Sequence, residues 1–339
     1  MKRHIVIPVF VPHMGCPFDC IYCNQKKISG QTEKMTPMLM KNIIEAHLET
    51  ISADNTYIEI GFYGGSFTGI PEEEQIMFLE TANEYLREGL VHGIRLSTRP
   101  DYINAHILDY LSCYNVGTIE LGVQSMDNDV LRESCRGHDT KAVYDAACLI
   151  HKFNFTLGIQ TMIGLPGDTK EKAIESARAV VALRPSIVRI YPTLVLKDTY
   201  LERLYLNGKY IPLNLDEAVE ISALLLRIYR EHNINVIRIG LQPSENINTD
   251  ADVIAGPCHP AFRQLVESKL FLDELVEHFA KNEIRNYNTV EILVNPKNIS
   301  DLVGQHKANI HFLQDKFNIR HIKVKPFNGI SRFVIKIPD

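Results

Sequence analysis

Three cysteines within eight residues are the part of this sequence whose types and spacing point most directly to chemistry. They lie in Gly15-Cys16-Pro17-Phe18-Asp19-Cys20-Ile21-Tyr22-Cys23-Asn24-Gln25, at spacing C-x3-C-x2-C. Pro17 and its small or polar neighbours argue for a loop, so the thiols can converge on one point. Crowded thiolates bind a soft metal centre, and closely repeated cysteines are how iron–sulfur clusters are held. Three ligands leave one metal position open for something else to bind. A structural zinc site closed by His13 or Cys258 is a competing reading. Inert buried thiols are a third, disfavoured by the polar loop residues around them.

Such a loop needs a scaffold, and the chain around it alternates strands with helices. The apolar run Ile5 to Val11 reads as a strand leading into the loop. Helical periodicity follows over Pro37–Ile51, then a strand over Tyr57–Tyr63 that ends in Gly64-Gly65. A helix opens on Glu72–Glu74 and runs to about Arg87, its acids at the favourable end of the dipole. The unit recurs as strand Ile94–Thr98, helix Ala105–Cys113, strand Thr118–Gln124, and helices Asp127–Ser134 and Thr140–Lys152. Strand Thr156–Ile163, helix Lys170–Leu183 and strand Ile187–Thr193 continue it. Apolar strands of this kind between helices predict six parallel strands. In such sheets functional residues collect at the carboxyl ends of the strands. Here those ends are Gly64-Gly65, Ser97-Thr98-Arg99, Gln124-Ser125, Gln160 through Gly164-Leu165-Pro166, and Pro192-Thr193.

Beyond Thr193 the rhythm changes. Helices are expected over Asp198–Asn207 and Asp216–His232, a strand over Val236–Leu241, and a loop, Thr249 to Pro260, holding Gly256-Pro257-Cys258-His259-Pro260. After a helix from Ala261 to Lys281, a polar linker at Asn282–Asn288 precedes a small unit. That unit reads strand Val290–Val294, helix Ser300–Val303, helix Ala308–Lys316, strand Ile322–Lys325 and strand Phe333–Ile337. The organisation expected is a core over residues 1–195, an extension over 196–283 that completes it, and a small domain over 284–339.

Composition is that of an ordinary globular chain of 339 residues, 45% hydrophobic and 23% charged, which excludes a disordered class. The N-terminal apolar run is interrupted by Pro8 and is too short to span a membrane or serve as a signal peptide. The chain is therefore expected in the cytoplasm, where thiols stay reduced. Seven cysteines, three of them packed together, argue against a disulfide framework. Cys113, Cys135 and Cys148 fall in or beside expected helices and are not taken as ligands. A net charge of −5 excludes a surface that is basic throughout. Its distribution is uneven: Arg285–Asp339 holds nine Lys/Arg against four Asp/Glu, or +5, leaving −10 for the rest.

Cys16-x3-Cys20-Ile21-Tyr22-Cys23, with an aromatic before the last cysteine, resembles the signature of the radical SAM superfamily over about the first 240 residues. The resemblance implies an α/β fold with a partial six-stranded parallel (β/α)6 barrel. It also implies a 4Fe–4S cluster on Cys16, Cys20 and Cys23, with S-adenosylmethionine chelating the open iron. An electron from an external donor would cleave the sulfonium to methionine and a 5′-deoxyadenosyl radical, while the protein supplies position and exclusion of water. Gly64-Gly65 resembles the family's glycine pair, where bare backbone approaches the SAM ammonium. Ser97 and Thr98 stand at the next strand end, and Pro192 at the sixth. Gln124 with Arg136 twelve residues later resembles the oxygen-independent coproporphyrinogen oxidase branch, where such residues contact SAM. Gln160 stands where that branch has an Asp that meets the ribose. Tyr22 is placed near the adenine, or else simply packs the loop.

The stretch from Tyr210 to Asn246 and the run Gly-Pro-Cys-His-Pro resemble the post-barrel segment of the Elongator catalytic subunit and its short bacterial relatives. That subunit modifies wobble uridine in tRNA, yet its acetyltransferase domain has no counterpart here. The closing unit resembles the core of a KH domain, with Gly304-Gln305-His306-Lys307 in place of GxxG. There that loop lies against the nucleic-acid backbone; a small dimerisation or lid domain is the competing reading of this unit. His259 is a candidate hydrogen donor or substrate contact, or else a loop cap. Three functions stay open: a radical SAM enzyme acting on RNA, with tRNA the expected substrate; one acting on a small molecule; and a zinc-stabilised RNA-binding protein without catalysis.

Overall fold

An aliphatic residue at every second position of a strand builds one apolar sheet face, and this chain repeats that pattern strand after strand. The computed structural model describes residues 3–11, 20–23, 34–52, 55–241, 252–330 and 332–337. Cys16, His13, residues 242–248 and the first part of the expected loop, 249–251, lie outside the described residues. Two units result: Met1–Asn214 with Ile228–Cys258, and Leu215–Arg227 with His259–Asp339.

The first unit begins β1 (Arg3–Val11), α1 (Pro37–Thr50), β2 (Thr56–Gly64), α2 (Glu72–Arg87), β3 (Gly93–Thr98), α3 (Ala105–Cys113) and β4 (Val116–Gln124). It continues with α4 (Asn128–Glu133), α5 (Thr140–Lys152), β5 (Thr156–Ile163), α6 (Lys170–Ala182), β6 (Ile187–Pro192), β7 (Val195–Leu196) and α7 (Tyr200–Leu206). After α8 (Leu215–Glu231), whose residues divide between the units, come β8 (Asn235–Ile239) and β9 (Val253–Ala255). Strands β1 to β6 pair in chain order, every pair parallel, and curl into a half-barrel. The sheet does not stop at the six strands expected. Strand β8 joins β6 in parallel, Ile187 opposite Asn235, because the chain returns after α8 with a further strand of matching apolar pattern. A second surprise is the two-residue antiparallel pair of β7 and β9, too short to leave a periodic signal.

One sheet face is mainly apolar, with Thr56, Thr98 and Thr161 the buried hydroxyls on it. Ile58, Ile60 and Phe62 of β2, Ile94 and Leu96 of β3, and Ile119, Leu121 and Val123 of β4 are buried. So are Leu157, Ile159 and Ile163 of β5 and Val188 and Ile190 of β6, as are the inward residues of the helices, such as Phe78, Leu108, Val143 and Val180. Each such side chain contributes about 1.5–3 kcal/mol on burial. Helices start where a short polar side chain can cap them. Asn104 accepts from the amide of Ile107, Asp139 from Ala142, Thr169 from Lys172 and Thr199 from Glu202, at 2.9–3.2 Å. Each cap is worth about 1 kcal/mol.

The second unit holds the long helix α9 (Phe262–Lys281), β10 (Thr289–Val294), α10 (Ile299–Val303), α11 (Ala308–Phe317), β11 (His321–Pro326) and β12 (Phe333–Lys336). Its sheet runs β11-β10-β12, parallel on one side of β10 and antiparallel on the other. Val290, Ile292 and Val294 share a core with Leu302, Leu313, Phe271 and Phe279.

Candidate active site

The cysteine loop is pinned from two sides at the carboxyl ends of the strands. The amide of Ile21 donates to the carbonyl of Ser134 at 3.3 Å, and the Ile21 carbonyl accepts from Leu201 at 2.8 Å. Cys23 closes a turn onto the Cys20 carbonyl at 2.9 Å. Ile21 is buried among Val195, Leu201 and Tyr210, and Tyr22 packs against the same cluster. Burial pushes the Tyr22 hydroxyl well above its usual range, against the pull of Arg136.

Arg136 stands directly behind this loop. It is buried, and its Nη1 donates to Cys20 Sγ at 3.1 Å while Nη2 donates to the Gly122 carbonyl. Its own carbonyl accepts from Arg99, whose guanidinium also grips both oxygens of Asp101 at 2.9 Å. A cation against a cysteine sulfur suits a thiolate that carries negative charge to a metal. Gln124 sits at φ +69 beside an irregularity in the β4–β5 pairing, and its Oε1 is buried with no hydrogen-bond partner among the described residues. A buried acceptor without such a partner is open to a donor that the described residues do not supply.

The glycine pair closes the second strand. Gly64 has φ +108, and a Cβ there would come within 2.7 Å of the Val11 carbonyl, so only glycine fits. Gly65 follows, half-buried. Thr98 joins a buried hydroxyl cluster, 2.8 Å from Ser66 Oγ and 2.5 Å from Thr68 Oγ1, which ties the β2 end to the β3 end. Ser97 points to the opposite face, where its Oγ accepts from Gln160 Nε2 at 3.0 Å. Pro192 ends β6 and is buried. In the second unit, His259 Nδ1 accepts from the amide of Ala261 at 3.1 Å, a cap for the turn ahead of α9. Cys258, in the first unit, is half-buried, and burial pushes its thiol up. Gly304 has φ +73 and leads into exposed Gln305, His306 and Lys307, the last two also at positive φ.

The inner face of the half-barrel holds a charged network that reading the strands as plain apolar runs missed. Glu120, 1% exposed, accepts from Arg189 Nε at 2.6 Å and Nη2 at 2.9 Å, from Arg95 Nη1 at 3.2 Å and from Gln160 Nε2 at 3.1 Å. Tyr63 donates to it at 3.3 Å and accepts from Arg189 at 3.0 Å. Arg95 also grips Glu59 through Nε at 2.8 Å and through Nη2, and His4 lies 2.6 Å from the same oxygen. Burial alone would raise the Glu120 carboxyl, but Arg189 and then Arg95 hold it below the usual carboxylate range. Space for this cluster comes from Gly158, where a Cβ would stand 2.8 Å from Glu120 Cγ. Its signal was present as Ile58-Glu59-Ile60, Ile94-Arg95-Leu96, Ile119-Glu120-Leu121 and Val188-Arg189-Ile190, one charge between two aliphatics in four strands.

Residues 10–180 match the model of the radical SAM superfamily and residues 185–271 that of the Radical_SAM C-terminal domain. The chain belongs to the radical SAM superfamily of enzymes. Within it, an uncharacterised protein of Methanocaldococcus jannaschii is 29% identical over 218 residues, which is 63% of each chain. Human Elongator complex protein 3 is 31% identical over 201 residues, 51% of this chain and 37% of that one. The tRNA uridine(34) acetyltransferase of Dehalococcoides mccartyi is 27% identical over 246 residues, 61% of this chain and 52% of that one. The chain thus spans between about a third and two thirds of these relatives' lengths. Among solved structures, the archaeal Elp3 of Methanocaldococcus infernus, lacking its N-terminus, shares the fold at a TM-score of 0.61 and 19% identity. That match covers 84% of this chain and 64% of the other. Among the described residues, no helix is long and apolar enough to cross a membrane.

Proposed function

We propose that this chain cleaves S-adenosylmethionine reductively at a 4Fe–4S cluster and directs the resulting radical to RNA, with tRNA as the substrate. The observation that carries the first half is the meeting of Arg136 with Cys20 beside the orphaned acceptor of Gln124. These residues fit a cluster on Cys16, Cys20 and Cys23 with an amino-acid nucleoside over it. Held there, the cluster would supply the single electron that reductive cleavage of the SAM sulfonium needs.

The chain's own residues bind, orient and exclude water. Gly64 and Gly65 offer bare backbone carbonyls to an ammonium. Gln124 Oε1 accepts from a hydroxyl or ammonium of the ligand. Ser97 and Glu120 both take hydrogen bonds from Gln160 Nε2, which leaves Gln160 Oε1 as an acceptor for a ribose hydroxyl. The amide can thereby replace the Asp of the coproporphyrinogen branch. Arg136 balances charge on the thiolate side, while Tyr22 seals the loop against the apolar cluster beneath it.

The RNA half rests on the names of the relatives, Elongator complex protein 3 and tRNA uridine(34) acetyltransferase, and on the basic second unit. Gln305, His306 and Lys307, with Gly304, are a candidate backbone contact, and His259 a candidate substrate contact.

The test is anaerobic. Reconstituted protein is expected to bind about four irons and four sulfides per chain and to release 5′-deoxyadenosine only with reductant. Cys20→Ala should abolish that release. Zinc without iron would overturn the enzyme reading. Nucleosides of tRNA from cells with and without the protein are expected to differ at one modified base, and identical profiles would overturn the RNA reading.

A further inference from the structure

The three-stranded sheet of the second unit has two unlike faces. Val290, Ile292 and Val294 turn one face to α9, α10 and α11. Alternation puts Thr289, Glu291 and Leu293 of β10 on the other face, with His321, Lys323 and Lys325 of β11 and Val334 and Lys336 of β12. The register sets Lys323 and Lys336 on either side of Glu291, and Lys325 and Val334 on either side of Leu293. His321, Lys323, Lys325, Val334 and Lys336 are all exposed. Among the described residues of this face Glu291 is the one carboxylate, and it pairs with Lys325 at 2.5 Å. An aromatic stands at each end: Tyr287 ahead of β10, 38% exposed, and Phe327 after β11, 48% exposed.

We propose that this open sheet face binds single-stranded RNA, separately from the Gly304–Lys307 loop, which lies between the two helices covering the opposite face. The proposal rests on the RNA reading above and adds to it the surface and the form of RNA. Charge selects the occupant. Three lysines with one carboxylate among them suit a polyanion, and exposed ammonium groups exchange water for phosphate with release of counterions. Successive lysines on β11 stand about 6.6 Å apart along the strand, so they can follow an extended backbone. Exposed aromatic rings at the edges of a basic sheet offer stacking to unpaired bases, which a duplex would not present.

The test is tRNA binding by the full chain across a salt series. Lys323→Gln/Lys336→Gln removes two cations and leaves the Lys325–Glu291 pair in place. Its affinity is expected to fall about tenfold, with the slope of log K against log salt reduced by about 1.5, since each lost phosphate contact removes about 0.7–0.9. Tyr287→Ala/Phe327→Ala should weaken an unpaired oligonucleotide more than a duplex. Glu291→Gln should tighten binding. RNA-independent release of 5′-deoxyadenosine should stay unchanged in all of them, with far-ultraviolet circular dichroism confirming the fold. Unchanged affinity and slope in a wild type that binds tRNA would overturn this surface and leave the RNA reading standing, the more so if Lys307→Glu abolishes binding. No tRNA binding by the wild type would overturn the RNA reading itself. A wild-type dimer that the lysine variant converts to monomer would make this face a contact between copies, and overturn the proposal too.

Discussion

The half-barrel's inner face and the open sheet face of the second unit are built alike and use charge in opposite ways. Both place charged side chains at alternate strand positions. In the half-barrel, Arg95 and Arg189 are locked against Glu59 and Glu120, with almost nothing left to water. In the second unit, Lys323, Lys325 and Lys336 face solvent, with Glu291 the one carboxylate among the described residues of that face. The difference follows from solvation. A charge taken out of water is tolerated only with a matching partner, so burial forces near-equal numbers of acids and bases. An exposed cation keeps its hydration, pays no such penalty, and remains available to a phosphate. Buried charges therefore shape a polar wall, while exposed ones can recognise a ligand.

The largest test of that contrast is Glu120→Ala. It strips Arg189 and Arg95 of a shared carboxylate inside the sheet, and a loss of about 3–5 kcal/mol is expected. Urea unfolding of the apoprotein reads it directly. A loss below about 1 kcal/mol would mean that water reaches the network and that the half-barrel charges are not scaffold in this sense.

A second test uses a group that burial has discharged. The imidazole of His138 is fully buried beside Arg136 and Arg99, with Asp101 Oδ1 4.0 Å away. Burial and then Arg136 push it down to about 4, so it is neutral where an unfolded histidine begins to charge. The folded value lies below the unfolded one. Its contribution is therefore complete above about pH 6.5 and is lost as pH falls through about 4. Unfolding free energies measured from pH 7 to 4 should decline on the order of 3 kcal/mol more steeply than in His138→Gln. Parallel curves would show that the ring is solvated.

Much of the frame could be read from the chain. Helices Ala105–Cys113 and Thr140–Lys152 and strand Thr156–Ile163 fall where capping and periodicity put them. The network was harder, for a physical reason. The alternation Ile119-Glu120-Leu121 was visible, yet which arginine meets Glu120 depends on register across β3, β4 and β6, separated by up to 69 residues. Arg136 shows the same limit. Spacing from Gln124 marked it as functional, but its contact with Cys20 spans 116 residues and exists only once the loop is docked. Strand β8 was expected as a strand and not as a member of the barrel sheet, because pairing partners leave no local trace.

The smallest expected effect falls on the exposed sheet and decides whether the contrast holds at both ends. Lys323→Gln/Lys336→Gln should change the unfolding free energy by less than about 0.5 kcal/mol, since exposed pairs across a strand contribute little. Glu291 would lose two cationic neighbours but keep Lys325, and at 18% side-chain exposure it retains contact with water. Thermal melts of this variant and of Glu120→Ala, run side by side, should therefore differ severalfold in destabilisation. If the lysine variant instead melts far below the wild type, its ammonium groups hold the sheet together. They would then be structural like their counterparts in the half-barrel, and their loss could not be read as loss of an RNA contact.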